Sequence, residues 1–301
     1  KEALIALASG EARQMVRPVL PLEGRNVLGM MPAFAPAAGV VGVKVLSVYP
    51  GNFERNLASH QGCIVLFDAD TGALKAIVDA ESVTAIRTAA ASAAATDALA
   101  RSDATKLAVL GAGLQGRKHL EAIRLVRDLT EVTVWDIRPE AVEQYAREMS
   151  ERTGLPVKAC DSAREAAQEA DIICTVTPAT SPILFADDVR PGTHINAVGA
   201  CTPDAREVGA DLMAAGKLYG DCKQATLVEA GDFLLARRDG AVSEEDILAE
   251  VGSVLAGEVT GRTGPGDITI FEALGQALQD LLAANYVVNA LEKPEPEAAR
   301  Q

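Results

Sequence analysis

Three features of this sequence carry residue types that chemistry needs. The first is Arg87, set in the small-residue run "ESVTAIRTAAASAAATDALAR" at 81–101. Arg87 and Arg101 are its only cations. Arg101 lies at the end, where a helix C-terminus favours positive charge. Arg87 lies in the body, beside Thr84 and Thr88. A buried guanidinium is costly unless an anion meets it. Its planar fork suits a carboxylate, held by two parallel bonds. A substrate carboxylate and a neighbouring Asp or Glu both meet that need. The second feature is Lys44, an isolated cation in "VVGVKVLSV". Pointing inward, it is expected to pair with a carboxylate or to relay a proton with a lowered pKa; pointing outward, it is a surface lysine.

The third feature is Gly111-Ala112-Gly113-Leu114-Gln115-Gly116, which fits G-x-G-x-x-G. It follows an apolar strand and opens a helix, the context that gives the pattern meaning. Such glycines allow a tight turn and a close approach to a pyrophosphate, and the helix N-terminus supplies free N–H groups. Asp136 follows about 20 residues on, where an acid binds an adenosine ribose 2′-hydroxyl. Asp136 repels a 2′-phosphate, so NAD is the expected cofactor; Arg138 leaves NADP as the alternative.

The elements that must position these residues fall into two grammars. Before residue 101, "VVGVKVLSVYPGN" reads as a strand closed by a turn, and "GCIVLFDADTGALKAIVDA" as a hairpin around Asp-Thr-Gly. With no helices between them, these strands predict an antiparallel sheet. The Ala-rich helix at 82–101 closes this part. From about 105, "KLAVLGAG", "EVTVWDI", "LPVKACD", "DIICTVTP", "GTHINAVGA" and "KLYGDC" alternate with helices or loops. That alternation predicts a parallel sheet covered on both faces. From Ser243 the chain reads as helical, with "TIFEALGQALQDLLAANYVVNALE" as one long helix.

Composition narrows the function. The 301 residues are 49% hydrophobic, enough for a large core and two domains. The formal net charge of -14 repels nucleic acid and anionic membranes. Aromatics at 4% are too few for stacked base recognition. Five cysteines, Cys63, Cys160, Cys174, Cys201 and Cys222, are scattered without a C-x-x-C pair. That argues against a disulfide framework and a zinc site, and no metal is expected. No apolar run reaches transmembrane length and no signal peptide is read, so a cytoplasmic protein is expected. His60 and His119 read as structural.

With these segments in view, the chain resembles the ornithine cyclodeaminase/μ-crystallin family. "VGVKVLSVYPGN", "AIRTAAASAAA", "VLGAGLQG", "INAVGACTPDARE" and "ITIFEALGQALQD" fall in family order. The resemblance implies an α/β protein: a Rossmann NAD(P)-binding domain at 102–270, and an α+β substrate and dimerisation domain from 1–101 with 271–301. It implies a homodimer. It also implies that Arg87 binds the substrate carboxylate, that Lys44 assists, and that Arg17 and Leu274 lie on the substrate side. Ser59, Thr88, Gly111, Gly113, Leu114, Gln115, Gly116, Asp136, Arg138, Thr177, Val198 and Gly199 fall at positions expected to meet the dinucleotide. Thr177 and Val198 end strands, where open α/β sheets bind ligands.

One departure bears on the reaction. Where ornithine cyclodeaminases carry an acid/base aspartate, this chain has Cys201, in "VGACTP". A thiol, with a reference pKa of about 8.5, is a poor replacement for a carboxylate beside an ammonium. The segment resembles the ketimine-reductase branch, so the expected activity is NAD(P)H-dependent reduction of Δ1-pyrroline-2-carboxylate or Δ1-piperideine-2-carboxylate to L-proline or L-pipecolate. The partner is then a small imino or amino acid, and Cys201 lines the pocket. The alternatives are ornithine cyclodeaminase, an alanine or opine-type dehydrogenase, and a non-catalytic binding protein.

Overall fold

In a computed structural model, residues 1–55 and 57–292 are described. The chain forms two compact units. One comprises Ser9–Arg87 and the chain from Gln276 onward; the other comprises Lys1–Ala8 and Thr88–Gly275. The division falls inside a single helix, Ala80–Leu99, between Arg87 and Thr88.

The first unit is built on an antiparallel sheet of β1 (Arg13–Gln14), β2 (Val19–Pro21), β3 (Val27–Ala35), β4 (Val40–Val48), β5 (His60–Asp68) and β6 (Leu74–Asp79). The order is β1-β3-β4-β5-β6, with β2 on β3. The β5–β6 turn is closed by Asp68, whose Oδ1 accepts from the Thr71 N–H at 2.8 Å and the Thr71 hydroxyl at 2.6 Å. Along β4, Val40, Gly42, Lys44 and Leu46 are buried and alternate with half-buried residues, the period of a strand with one covered face. The C-terminal helix Ala277–Glu292 covers that face, packing on β3, β4 and β5. Gly42 makes the packing close. A Cβ there would overlap the Val65 carbonyl oxygen and lie 2.6 Å from Leu281 Cδ1.

The second unit holds an eight-stranded, all-parallel sheet: β7 (Lys106–Leu110), β8 (Glu131–Trp135), β9 (Val157–Ala159), β10 (Ile172–Thr175), β11 (His194–Ala197), β12 (Lys217–Gly220), β13 (Ile247–Glu250) and β14 (Thr269–Glu272). The order β13-β12-β14-β11-β10-β7-β8-β9 reverses at β7, which has β8 on one side and β10 on the other. Strands β10, β11 and β14 are buried throughout, as a sheet covered on both faces requires. This is the Rossmann dinucleotide-binding arrangement, so the chain is an α/β protein that also contains an α+β unit. Among the described residues no helix is long and apolar enough to cross a membrane.

Two expectations are corrected. The chain after Ser243 is not continuous helix: it contains β13, a short helix Val251–Leu255, and β14. "TIFE" is β14, buried between β12 and β11, and the helix begins only at Ala277. A short apolar run reads equally as buried strand and buried helix, and Gly275 at φ +79 separates the two elements. Arg101 lies past the helix end at Leu99, where it pairs with Asp103 and Asp171 instead of the helix carbonyls.

Gly42→Ala is expected to lower the unfolding free energy by about 1–3 kcal/mol, the usual cost of forcing an extra methyl into a packed core. Urea unfolding checks this; an unchanged midpoint would contradict the close packing.

Candidate active site

Lys44 reaches the inner face of the antiparallel unit because strand side chains alternate, and it is 4% exposed. Its ammonium donates to Thr84 Oγ1 at 2.7 Å and to Asp280 Oδ1 and Oδ2 at 3.1 and 3.2 Å. Arg87, one helical turn beyond Thr84, donates from Nε to Asp280 Oδ1 at 2.8 Å and from Nη1 to Gln279 Oε1 at 3.2 Å. Asp280 is wholly buried. The protein anion that meets Arg87 is therefore Asp280, and it serves Lys44 as well. Thr84 in turn donates its hydroxyl to the Ala80 carbonyl at 2.6 Å, which aims its oxygen lone pairs at Lys44.

The electrostatics follow from one carboxylate among several cations. Burial pushes the Lys44 pKa down to about 8, Arg87 pushes the same way, Asp280 opposes them, and Arg17 adds a smaller downward push. Burial, Lys44 and Arg17 together also lower the pKa of His60. Ser59, in the same unit, meets His60 Nδ1 at 2.9 Å. Arg17, Lys44 and Arg87 thus belong to one electropositive cluster. Sequence reasoning missed its other half. Gln279 and Asp280 lie in the recognised "ITIFEALGQALQD" segment, and the signal was an unpaired acid inside an apolar helical run.

In the second unit, Gly111 closes the turn after β7 at φ +121, and a Cβ there would stand 2.8 Å from the Val176 carbonyl oxygen. Gly113 opens the helix Leu114–Ile123 with nothing within 4 Å of where its Cβ would be. Gln115 Oε1 is buried with no hydrogen-bond partner among the described residues. Bare backbone and an open approach at a helix N-terminus fit a pyrophosphate. Leu114 is exposed beside them. Asp136, just beyond β8, accepts from the Ala112 N–H at 2.9 Å and from the Arg138 N–H and Nε at 3.0 and 3.1 Å. Burial opposes ionisation of Asp136, but the hydrogen bonds from Arg138 and Ala112 outweigh it and hold its pKa below the ordinary value. An ionised carboxylate therefore stands just beyond β8, and Arg138 is already engaged with it.

Thr177 and Gly199 follow β10 and β11 and are joined by a residue the sequence did not single out. Glu207, fully buried, accepts from the Thr177 N–H and hydroxyl at 2.6 and 2.7 Å and from the Gly199 N–H at 2.7 Å. Asp232 Oδ1 holds the Glu207 and Val208 N–H groups at 2.7 and 2.8 Å. Glu272 and Asp221 are buried as well. Among the described residues no group of His, Cys, Asp or Glu is arranged to hold a metal ion. Val198 and Thr88 are buried, Leu274 belongs to the core around β10–β12, and Cys201 is half-buried against that core. These four and the glycine-turn residues belong to the second unit, whereas Arg17, Lys44, Ser59 and Arg87 belong to the first. His119 is structural: its Nδ1 donates to the Gln115 carbonyl at 2.8 Å, so Nε2 accepts from Ser92 at 2.9 Å. Burial pushes its pKa down to about 4.

Fold and glycine turn together define a dinucleotide-binding α/β protein. A family model described as ornithine cyclodeaminase/mu-crystallin family matches residues 1–295. The ketimine reductase mu-crystallin of Mus musculus is 40% identical over 282 residues, 93% of this chain and 86% of that protein. The solved Δ1-pyrroline-2-carboxylate reductase of Thermococcus litoralis, in complex with NADH and L-proline, superposes with a TM-score of 0.94 at 36% identity, covering 97% of this chain and 91% of that one. An archaeal alanine dehydrogenase dimer with bound NAD gives 0.92 at 33% identity, over 98% and 91%. The chain belongs to the ornithine cyclodeaminase/mu-crystallin family.

Two outcomes are expected. Asp280→Asn removes the charge that favours the Lys44 ammonium, so Lys44 should titrate below its midpoint of about 8. The 13Cε shift of labelled lysine, assigned with Lys44→Met, reads this directly; an unmoved or higher midpoint would contradict the pairing. Burial also raises the pKa of Asp232, with repulsion from Glu207 adding to it. The folded carboxyl then keeps a proton that the unfolded one loses from about pH 4 upward, so stability falls as pH rises beyond that point. Asp232→Asn should make urea-unfolding free energy decline less steeply between about pH 5 and 8, and parallel profiles would count against a raised pKa.

Proposed function

We propose that this chain is an NADH-dependent reductase of a small cyclic ketimine carboxylate, forming L-proline or L-pipecolate. The observation that carries the reading is a charge imbalance: buried Lys44 and half-buried Arg87 share one buried carboxylate, Asp280. A site of this kind retains positive charge for an anionic substrate. The relatives point the same way, since one is a ketimine reductase and another is a pyrroline-2-carboxylate reductase with NADH and L-proline.

On this reading the unit of Ser9–Arg87 with the C-terminal helix binds substrate, and the unit of Thr88–Gly275 binds the cofactor. Arg87 anchors the substrate carboxylate through guanidinium donors left over from Asp280 and Gln279. Asp280 and Thr84 fix the Lys44 ammonium, which adds positive charge and, with a pKa of about 8, exchanges a proton near neutrality. Arg17 extends the positive field. The turn Gly111–Gly116 and the helix N-terminus hold the pyrophosphate, Asp136 takes the ribose hydroxyls, and Glu207 braces Thr177 and Gly199. When bound, the reduced nicotinamide supplies the hydride for the carbon beside the carboxylate. Cys201 lines the pocket. No carboxylate stands at its position, which weighs against cyclodeamination of ornithine.

We further propose a homodimer formed through the antiparallel unit, where Leu20, Leu74 and Ile77 are 54, 59 and 65% exposed. The dimeric alanine dehydrogenase is a precedent. A cytoplasmic location suits five cysteines that are all free thiols.

The test is absorbance at the reduced-nicotinamide band, with NADH and NADPH in parallel. Δ1-Pyrroline-2-carboxylate, Δ1-piperideine-2-carboxylate and pyruvate plus ammonia are offered, and L-ornithine with NAD. NADH oxidation with a cyclic imine is the expected result, and Arg87→Lys should raise KM on the order of 10²-fold through loss of the planar fork. Turnover confined to pyruvate plus ammonia, or to ornithine, would replace the ketimine reading.

A further inference from the structure

Gln279 has one end engaged and one end open. Its Oε1 accepts from Arg87 Nη1 at 3.2 Å. That bond fixes the amide orientation, because the reverse flip would set an NH2 group against a guanidinium, donor against donor. Nε2 is therefore the amide atom that does not bond Arg87. It is buried, on a residue 6% exposed, and has no hydrogen-bond partner among the described residues. A buried amide donor without an acceptor is destabilising, so the protein carries a cost at this position. Its neighbours are the residues proposed above to hold the substrate: Arg87 through Oε1, and Asp280 next along the helix.

We propose that Gln279 is a substrate-binding residue whose Nε2–H donates to the substrate carboxylate beside Arg87. The proposal rests on the ketimine-reductase reading and deepens it. Arg87 supplies charge to the carboxylate, and Gln279 supplies a neutral donor directed by the same guanidinium. The position before Asp280 then sets how strongly an acid is preferred over its amide. A carboxylate oxygen completes the Gln279 donor, whereas the NH2 of a carboxamide meets it donor to donor.

The variant that separates a binding role from a structural one is Gln279→Met, close in volume and without a donor. If Gln279 serves packing alone, stability and substrate affinity fall together. If Nε2 waits for the substrate, the two move apart. The ligand-free thermal midpoint should change little, because removal of the unmet donor offsets loss of the Oε1 acceptor that Arg87 uses. At the same time KM for the cyclic imine should rise about 10–100-fold, the usual worth of a hydrogen bond to a charged group, with kcat changing far less. Gln279→Glu keeps an acceptor for Arg87 but opposes the substrate with a second anion, so its KM should rise further.

An unchanged KM in Gln279→Met, with active wild-type enzyme, overturns the proposal and leaves the reductase reading intact. A lowered thermal midpoint with KM raised and kcat lowered together assigns Gln279 to packing, and also overturns it. A wild-type protein inert toward every cyclic imine overturns the reductase reading and this proposal with it.

Discussion

Asp280 is the carboxylate on which the cation cluster of the antiparallel unit depends. Two cations arrive from different elements, buried Lys44 from β4 and half-buried Arg87 from the helix Ala80–Leu99, and both close on Asp280 from the C-terminal helix. Burying either cation alone would be prohibitive. Sharing one anion leaves the group short of negative charge. The local fold can be read as the means of bringing the three together. Alternation along β4 turns Lys44 inward, Gly42 admits the helix, and the interval from Thr84 to Arg87 is close to one helical turn.

The nucleotide half solves a different problem, that of exposing backbone donors without leaving strands unpaired. The parallel sheet reverses direction at β7, and the glycine turn opens there. After β10 and β11, buried carboxyls hold the loops by hydrogen bonds. Glu207 ties the segment after β10 to the segment after β11 through three hydrogen bonds. It does so in a setting where burial favours the protonated acid. The segments that follow the strands are thus set by polar contacts that must be satisfied together.

Much of this was legible in the sequence, for physical reasons that differ by element. The glycine turn was legible because local steric rules confine Gly111 and the chain context confirms it. The antiparallel β4 and the β5–β6 hairpin were legible because period-two alternation and an Asp-Thr-Gly turn are local signals. The run at 269–272 was not, since four buried residues have no period to distinguish strand from helix. The partner of Arg87 was not legible either. Its anion lies 193 residues away, and no local pattern encodes a contact of that range. Glu207 was hidden for the same reason: it sits in a turn segment and acts on two strand ends that only the tertiary fold assembles.

The Asp280 contact also orders events during synthesis. The unit of Ser9–Arg87 is completed only by the chain from Gln276 onward, with the whole of Thr88–Gly275 translated in between. Lys44 and Arg87 must therefore wait on the ribosome without their anion while the parallel sheet is made. A nascent chain can fold the later unit first, as domains generally do, but the earlier one has a cationic core until its last helix emerges. The final helix is thus a closing piece whose arrival neutralises the core. A chain released before it would hold Lys44 and Arg87 without the carboxylate that compensates them.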